Sequence, residues 1–106
     1  MNKIRHILAS LLLVGLMVIS SVSVTYAATD VGGMDLYTYC QVHHKWGAPQ
    51  TAVLVAPFNA YAWRCRDWTG GLNSIHVNHV CAWQYGHGAW ASTSNWEDPY
   101  SWRCYK

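Results

Sequence analysis

Apolar positions divide the chain into one unbroken block and two periodic stretches. Ile7–Ile19 is an apolar run without charge and follows Lys3 and Arg5. From Leu36 the pattern changes: Leu36, Tyr39, Cys40 and His43 recur every three or four residues, the spacing of one helical face. Asp35 stands where an N-cap belongs, since a carboxylate there accepts an otherwise unpaired amide of the first turn. Gly47 suits a left-handed turn that ends the helix. The same spacing returns at Val77, Val80, Cys81 and Gln84, with Gly86 or Gly88 to close it. His76 takes the cap position there. Histidine caps weakly, so this start has the alternatives Ser74 and Asn78.

Each helix is followed by two extended runs around a break. The first pair is Thr51–Ala56 and Ala60–Arg66, separated by Pro57-Phe58-Asn59. The second is Trp90–Ser94 and Tyr100–Tyr105, separated by Asn95–Pro99. Alternation along the closing strands puts Tyr61, Trp63 and Cys65 on one face, and Tyr100, Trp102 and Cys104 on the matching one. The cysteines must look toward the helices, so these four aromatics are expected in the core. Residues 28–33 read as a short mobile lead-in, and 66–74, with Gly70-Gly71, as a linker and turn.

The two stretches are copies. Met34, Leu36, Tyr39-Cys40, Gly47-Ala48 and Tyr61-Ala62-Trp63-Arg64-Cys65 are answered in order by Ile75, Val77, Val80-Cys81, Gly88-Ala89 and Tyr100-Ser101-Trp102-Arg103-Cys104. The spacing is kept on both sides of a two-residue deletion, which indicates an internal duplication. The fold class expected is α+β. Two tandem αββ half-repeats, 34–65 and 75–104, form one four-stranded antiparallel sheet with both helices on one face.

The opening block adds a compartment. Basic start, apolar run and the small residues Thr25 and Ala27 are the order of a secretory signal over residues 1–27, cut after Ala27. That leaves 28–106 as a single domain holding all four cysteines. Such a chain needs staples, and in an exported protein four cysteines imply two disulfides. Cys40–Cys65 and Cys81–Cys104 are favoured over the other pairings, because each αββ unit lays its helix over its own hairpin. Four thiolates on zinc would want close C-x-x-C pairs, which this sequence lacks.

Charge then excludes several partners. After residue 27, Lys45, Arg64, Arg66, Arg103 and Lys106 balance Asp30, Asp35, Asp67, Glu97 and Asp98. There is no basic surplus for nucleic acid or anionic lipid, and no stable membrane insertion is expected after signal cleavage. Catalytic chemistry is poorly supplied. Asp35 reads as a cap and Asp67 as a turn residue, and Glu97-Asp98 sits in a hairpin turn before Pro99. The cysteines are oxidised, and no serine lies in a G-x-S-x-G context. His43-His44 and His76-Val77-Asn78-His79 have metal-like spacing without the further ligands a zinc or copper site requires. No enzyme, metal or cofactor is expected.

The tryptophans point elsewhere. Trp63 and Trp102 match between copies and read as structural. Trp46, Trp68, Trp83, Trp90 and Trp96 have no tryptophan partner in the other half, and a domain this small cannot bury them all. The second copy carries Trp83 and Trp90 where the first has Val42 and Pro49. It also has Ala91-Ser92-Thr93-Ser94 where the first has Ala52-Val53-Leu54-Val55-Ala56. A ligand-binding surface is therefore expected at Trp68, Trp83, Trp90 and Trp96, with His87 and Glu97 as polar contacts, since rings among hydroxyls suit a sugar. The function expected is a secreted, non-enzymatic binding module for a glycan or cell-envelope polymer. The alternatives are an antimicrobial or toxin-like peptide and a protein-binding inhibitor.

Tyr39-Cys40, Tyr61-Ala62-Trp63-Arg64-Cys65, Val80-Cys81-Ala82-Trp83-Gln84-Tyr85 and Asp98-Pro99-Tyr100-Ser101-Trp102-Arg103-Cys104-Tyr105 also carry a resemblance. Over nearly all of residues 28–106 the chain is similar to small secreted Cys/Trp-rich domains of actinobacteria and other filamentous or multicellular bacteria. The resemblance implies export and brings no activity or functional residue with it. His76 departs from it, at a position where an acidic cap is expected.

Overall fold

Asp35 caps the first helix as its position requires: its side chain accepts from the Thr38 amide at 3.0 Å. In this computed structural model, which describes residues 27–106, the elements in chain order are β1 (Asp30–Gly33), α1 (Leu36–Val42), β2 (Thr51–Leu54), β3 (Trp63–Arg66), β4 (Leu72–Ser74), α2 (Val77–Tyr85), β5 (Trp90–Thr93) and β6 (Trp102–Tyr105). The signal-segment reading falls, apart from Ala27, outside the described residues. Helix α2 starts after His76, whose side chain makes no cap bond, and stops at Gly86 with φ 104°. Helix α1 ends five residues before Gly47, which instead shapes the turn that follows, with φ 75°.

Each helix is bolted to its own hairpin. Cys40 of α1 joins Cys65 of β3, and Cys81 of α2 joins Cys104 of β6, with Cα atoms 5.4 Å apart in both. The hairpins pair antiparallel with matched register, Ala52 opposite Cys65 and Ala91 opposite Cys104. A small residue opposite each cysteine leaves room for the disulfide beneath the helix.

The single four-stranded sheet is corrected to two three-stranded ones, in the orders β1-β6-β5 and β2-β3-β4. The second edge of each inner strand, β6 and β3, is taken by β1 and β4, so the hairpins do not join through these strands. Strand β1 precedes α1 in the first copy yet lies along β6 of the second, and β4 precedes α2 yet lies along β3 of the first. The unit of duplication is thus βαββ, and the two units exchange their leading strands. The presumed mobile lead-in is β1, and the presumed linker contains β4.

Polar side chains hold both exchanged strands. At β1, the Tyr85 hydroxyl and the Gln84 amide donate to the Gly33 carbonyl at 2.7 and 3.1 Å, while Gln84 accepts from the Asp35 amide at 2.9 Å. Gly32 lies so close over Tyr85 that a Cβ there would collide with the hydroxyl, and its φ of 142° suits glycine. At β4, Asn73 donates to Gln50, to the Cys65 carbonyl and to Asp67. Buried Asp67 also accepts from the amides of Thr69 and Gly71, both at 3.0 Å, and from the Thr69 hydroxyl. Donors from Thr69, and then Asn73, hold its carboxyl down at about 2.

The larger core cluster crosses between copies: Leu36, Tyr39, Cys40, Ala52, Ala60, Trp63 and Cys65 pack with Val80 and Trp102. The smaller one is Cys81, Ala89 and Cys104, flanked by Val31, Met34, Tyr85 and Ala91. Neither half closes a core alone.

Candidate functional site

The loops after β2 and after β5 fold into the same turn. Asn59 accepts from the Tyr61 amide at 2.8 Å, and Asp98 from the Tyr100 amide at 2.9 Å. One residue further on, Ala62 bonds back to the Asn59 carbonyl and Ser101 to that of Asp98. These Asx turns set the tyrosines outside the strands, which begin at Trp63 and Trp102. The strand alternation does not reach back to them, and this corrects their assignment to the core. Trp63 and Trp102 are 6% exposed, whereas Tyr61 is 61% and Tyr100 75% exposed.

The two tips lock together by a reciprocal arrangement. Trp63 donates its indole N–H to the Pro99 carbonyl at 2.8 Å, and Trp102 donates to the equivalent Ala60 carbonyl at 2.6 Å. Tyr61 stands edge-on to Trp102, and Tyr100 to Trp63, with centroids 5.4 and 5.8 Å apart. Ala60 adds a backbone bond to the Trp96 carbonyl at 2.7 Å. Exposed Phe58, Tyr61, Trp96 and Tyr100 are thereby displayed on a joint whose backbone is fixed from both sides. Beside it a cleft of about 130 Å³ is lined by Met34, Asp35, Leu36, Tyr37, Trp63, Pro99, Tyr100 and Trp102.

The sequence-nominated tryptophans are all exposed but are not gathered in one place. Trp96 is at the joined tips. Trp68 donates its indole N–H to the Trp46 carbonyl at 3.2 Å, next to the turn after α1. Trp90 stacks on Tyr105 at 4.9 Å on the β5 edge. Trp83, on α2, meets Tyr39 and His43 of α1 edge-on at 5.6 and 5.8 Å. No aromatic pairing among the described residues joins two of the four. His87 is exposed beyond the end of α2, off the helical face shared by His79 and Trp83. Glu97 is exposed in the second turn, its amide bonded to Asn95.

The histidines meet between the helices. Tyr39 stacks on His43 at 3.9 Å, and its hydroxyl bonds to Nδ1 of His79 at 2.7 Å. His43 Nδ1 is bonded to the Tyr39 carbonyl at 2.7 Å. This cluster fastens α1 to α2. Among the described residues, no three His, Cys, Asp or Glu side chains converge as a metal site would require.

Sequence reasoning missed Tyr37, Phe58, Tyr61 and Tyr100. The signal for two of them was present: Asn59 and Asp98 each stand two residues before a tyrosine, the spacing of an Asx turn. No family model, curated protein or solved structure matches the chain.

Proposed function

We propose that this protein is a secreted, non-enzymatic binding module whose ligand is a glycan or another polymer of the cell envelope. The observation that carries the reading is the set of rings at the joined hairpin tips, exposed although the joint beneath them is buried and hydrogen-bonded. Large rings held rigidly in water cost little further ordering when a ligand stacks on them. Their faces suit sugar rings, and the Ser/Thr-bearing β5 strand and the turn side chains supply hydrogen bonds. Trp96 belongs to this surface. Trp68, Trp83 and Trp90 lie at other points, where an extended polymer would make separate contacts.

Four of the five acids after residue 27 have structural duties. Asp30 pairs with Arg103, with Nε to Oδ2 3.1 Å, Asp35 caps α1, Asp67 holds β4, and Asp98 makes its turn. Two disulfides suit an oxidising compartment, and no helix among the described residues is long and apolar enough to cross a membrane. The balanced charge gives little support to a membrane-disrupting peptide.

Co-sedimentation with purified bacterial cell wall and with chitin, alongside dye release from liposomes, tests the reading. Saturable sedimentation without dye release is expected. Dye release with no polymer binding would replace the reading by the toxin-like one.

A further inference from the structure

The cleft beside the joined tips draws on both copies, Met34, Asp35, Leu36, Tyr37 and Trp63 from the first and Pro99, Tyr100 and Trp102 from the second. Its floor is Trp63 and Trp102, whose indole N–H groups are already engaged by Pro99 and Ala60, so what they offer a ligand is carbon and π-electron density. Tyr37 and Tyr100 stand at 76° and 79° to the Trp63 plane, with centroids 6.2 and 5.8 Å away, so that near-perpendicular rings enclose a corner. Met34, Leu36 and Pro99 add apolar surface, and Asp35 is the one charged side chain in the lining. Hydrogen bonds from Thr38, led by its side chain, hold the Asp35 carboxyl below the usual carboxylate range, so it is ionised at neutral pH. Arg64, beside Trp63, lies on the other face of β3 and donates to the Tyr61 and Trp63 carbonyls.

At the duplicated position, His76 and Asn78 replace Asp35 and Tyr37. The Asn78 side chain is engaged by the Ala91 amide at 2.8 Å. The carboxylate and the wall ring are therefore particular to the first copy. Tyr37 is exposed, which a purely structural ring in this position need not be.

Size and chemistry narrow the occupant. An apolar cavity of roughly 150 Å³ takes benzene, so about 130 Å³ admits a compact group and not a whole hexose. A group rich in hydroxyl or N–H would leave hydrogen bonds unmade against these rings. A neutral alkyl group would make no use of the carboxylate or the ring faces. A quaternary ammonium uses both, because its charge is spread over methyl groups that have no donor to satisfy. We propose that this cleft is a cage for a trimethylammonium group. The proposal goes beyond the polymer reading and does not depend on it.

The test is titration with choline chloride at constant ionic strength, followed by the indole N–H resonances of Trp63 and Trp102. The neutral isostere 3,3-dimethylbutan-1-ol is titrated in parallel. Saturable shifts are expected with choline, and about tenfold weaker binding or less with the alcohol. Tyr37→Ala and Tyr100→Ala remove exposed rings and should each lower choline affinity about fivefold or more while the variants stay folded, each losing one edge contact to Trp63. Asp35→Asn keeps a capping side chain and should weaken choline but not the alcohol. Equal affinity for the two ligands, undiminished choline binding in both tyrosine variants, or no saturable shift would each overturn the cage. Phosphatidylcholine vesicles separate the sources. Co-sedimentation displaced by choline places the group on a bilayer; choline binding without vesicle binding places it on a soluble or polymer carrier. A wild-type chain that binds no choline would leave the cell-wall co-sedimentation expected above untouched, and Tyr37→Ala, outside the tip surface, should weaken choline without altering it, so the two readings fail separately.

Discussion

Trp102 donates its indole N–H to the carbonyl of Ala60 across 2.6 Å, and through this bond the closing strand of the second copy holds the turn of the first. The relation is returned by Trp63 and Pro99 at 2.8 Å. Both indoles are buried, so each bond is made where water cannot replace it. Trp63→Ala and Trp102→Ala should each cost about 3–5 kcal/mol as core truncations. Trp102→Phe keeps most of the ring but orphans the Ala60 carbonyl, and should cost about 1–3 kcal/mol. Urea unfolding measures all three; an alanine variant with the wild-type midpoint would show that the tips are not joined as described.

The disulfides close loops of separation 25 and 23. At roughly 3.5 kcal/mol each in the chain-entropy model, together they rival the whole stability of a small domain. Peptide mapping without reduction should recover Cys40 with Cys65 and Cys81 with Cys104, and reduction should abolish the near-ultraviolet dichroism of the buried tryptophans. A reduced chain that kept that signal would mean the core is self-sufficient.

What could be read in the sequence was local or duplicated. The Asp35 cap, the cysteine faces and the two hairpins depend on residues close in the chain, and the second copy repeats them. The exchange of β1 and β4 was not legible. Both strands are short, β1 ends in Gly32-Gly33, and the pairing of Asp30 with Tyr105 spans nearly the whole domain. No alternation marks such segments. Their anchors, Gln84, Tyr85 and Asp67, look like ordinary surface and turn residues until the partner strand is in place. For the binding surface, exposure of the unmatched tryptophans could be foreseen, but their dispersal could not, because it follows from how the two sheets are placed.

The exchange can be tested at Gly32. Gly32→Ala sets a Cβ against the Tyr85 hydroxyl at a positive φ and should cost about 1–3 kcal/mol. Adding Tyr85→Phe removes the colliding oxygen, so the double variant should lose less than the two single losses added together. Strict additivity in that cycle would mean that β1 does not run over Tyr85.

Asp67 makes a prediction in acid. Its carboxyl lies at about 2 when folded, below the ordinary 3.8, so its contribution is full above pH 3.8 and disappears as pH falls through about 2. Asp67→Asn would turn an amide toward the Asn73 amide that now donates to it. The variant should melt below wild type at pH 7, and the gap should narrow between pH 4 and pH 2. A gap independent of pH would show that the carboxylate charge does not hold β4.

Binding at the tips is the claim on which the functional reading rests, and comparative co-sedimentation with bacterial cell wall tests it most directly. The combined Tyr61→Ala, Trp96→Ala and Tyr100→Ala variant removes only exposed side chains and leaves the backbone bond of Trp96 to Ala60 intact. Hot-spot rings typically contribute at least 2 kcal/mol, about thirtyfold in affinity. The triple variant should stay folded, with a melting temperature lowered by the loss of the two Tyr–Trp edge contacts, and bind at least about thirtyfold more weakly, whereas Trp68→Ala, Trp83→Ala and Trp90→Ala should each lose less. A folded triple variant that sediments like wild type would contradict the account.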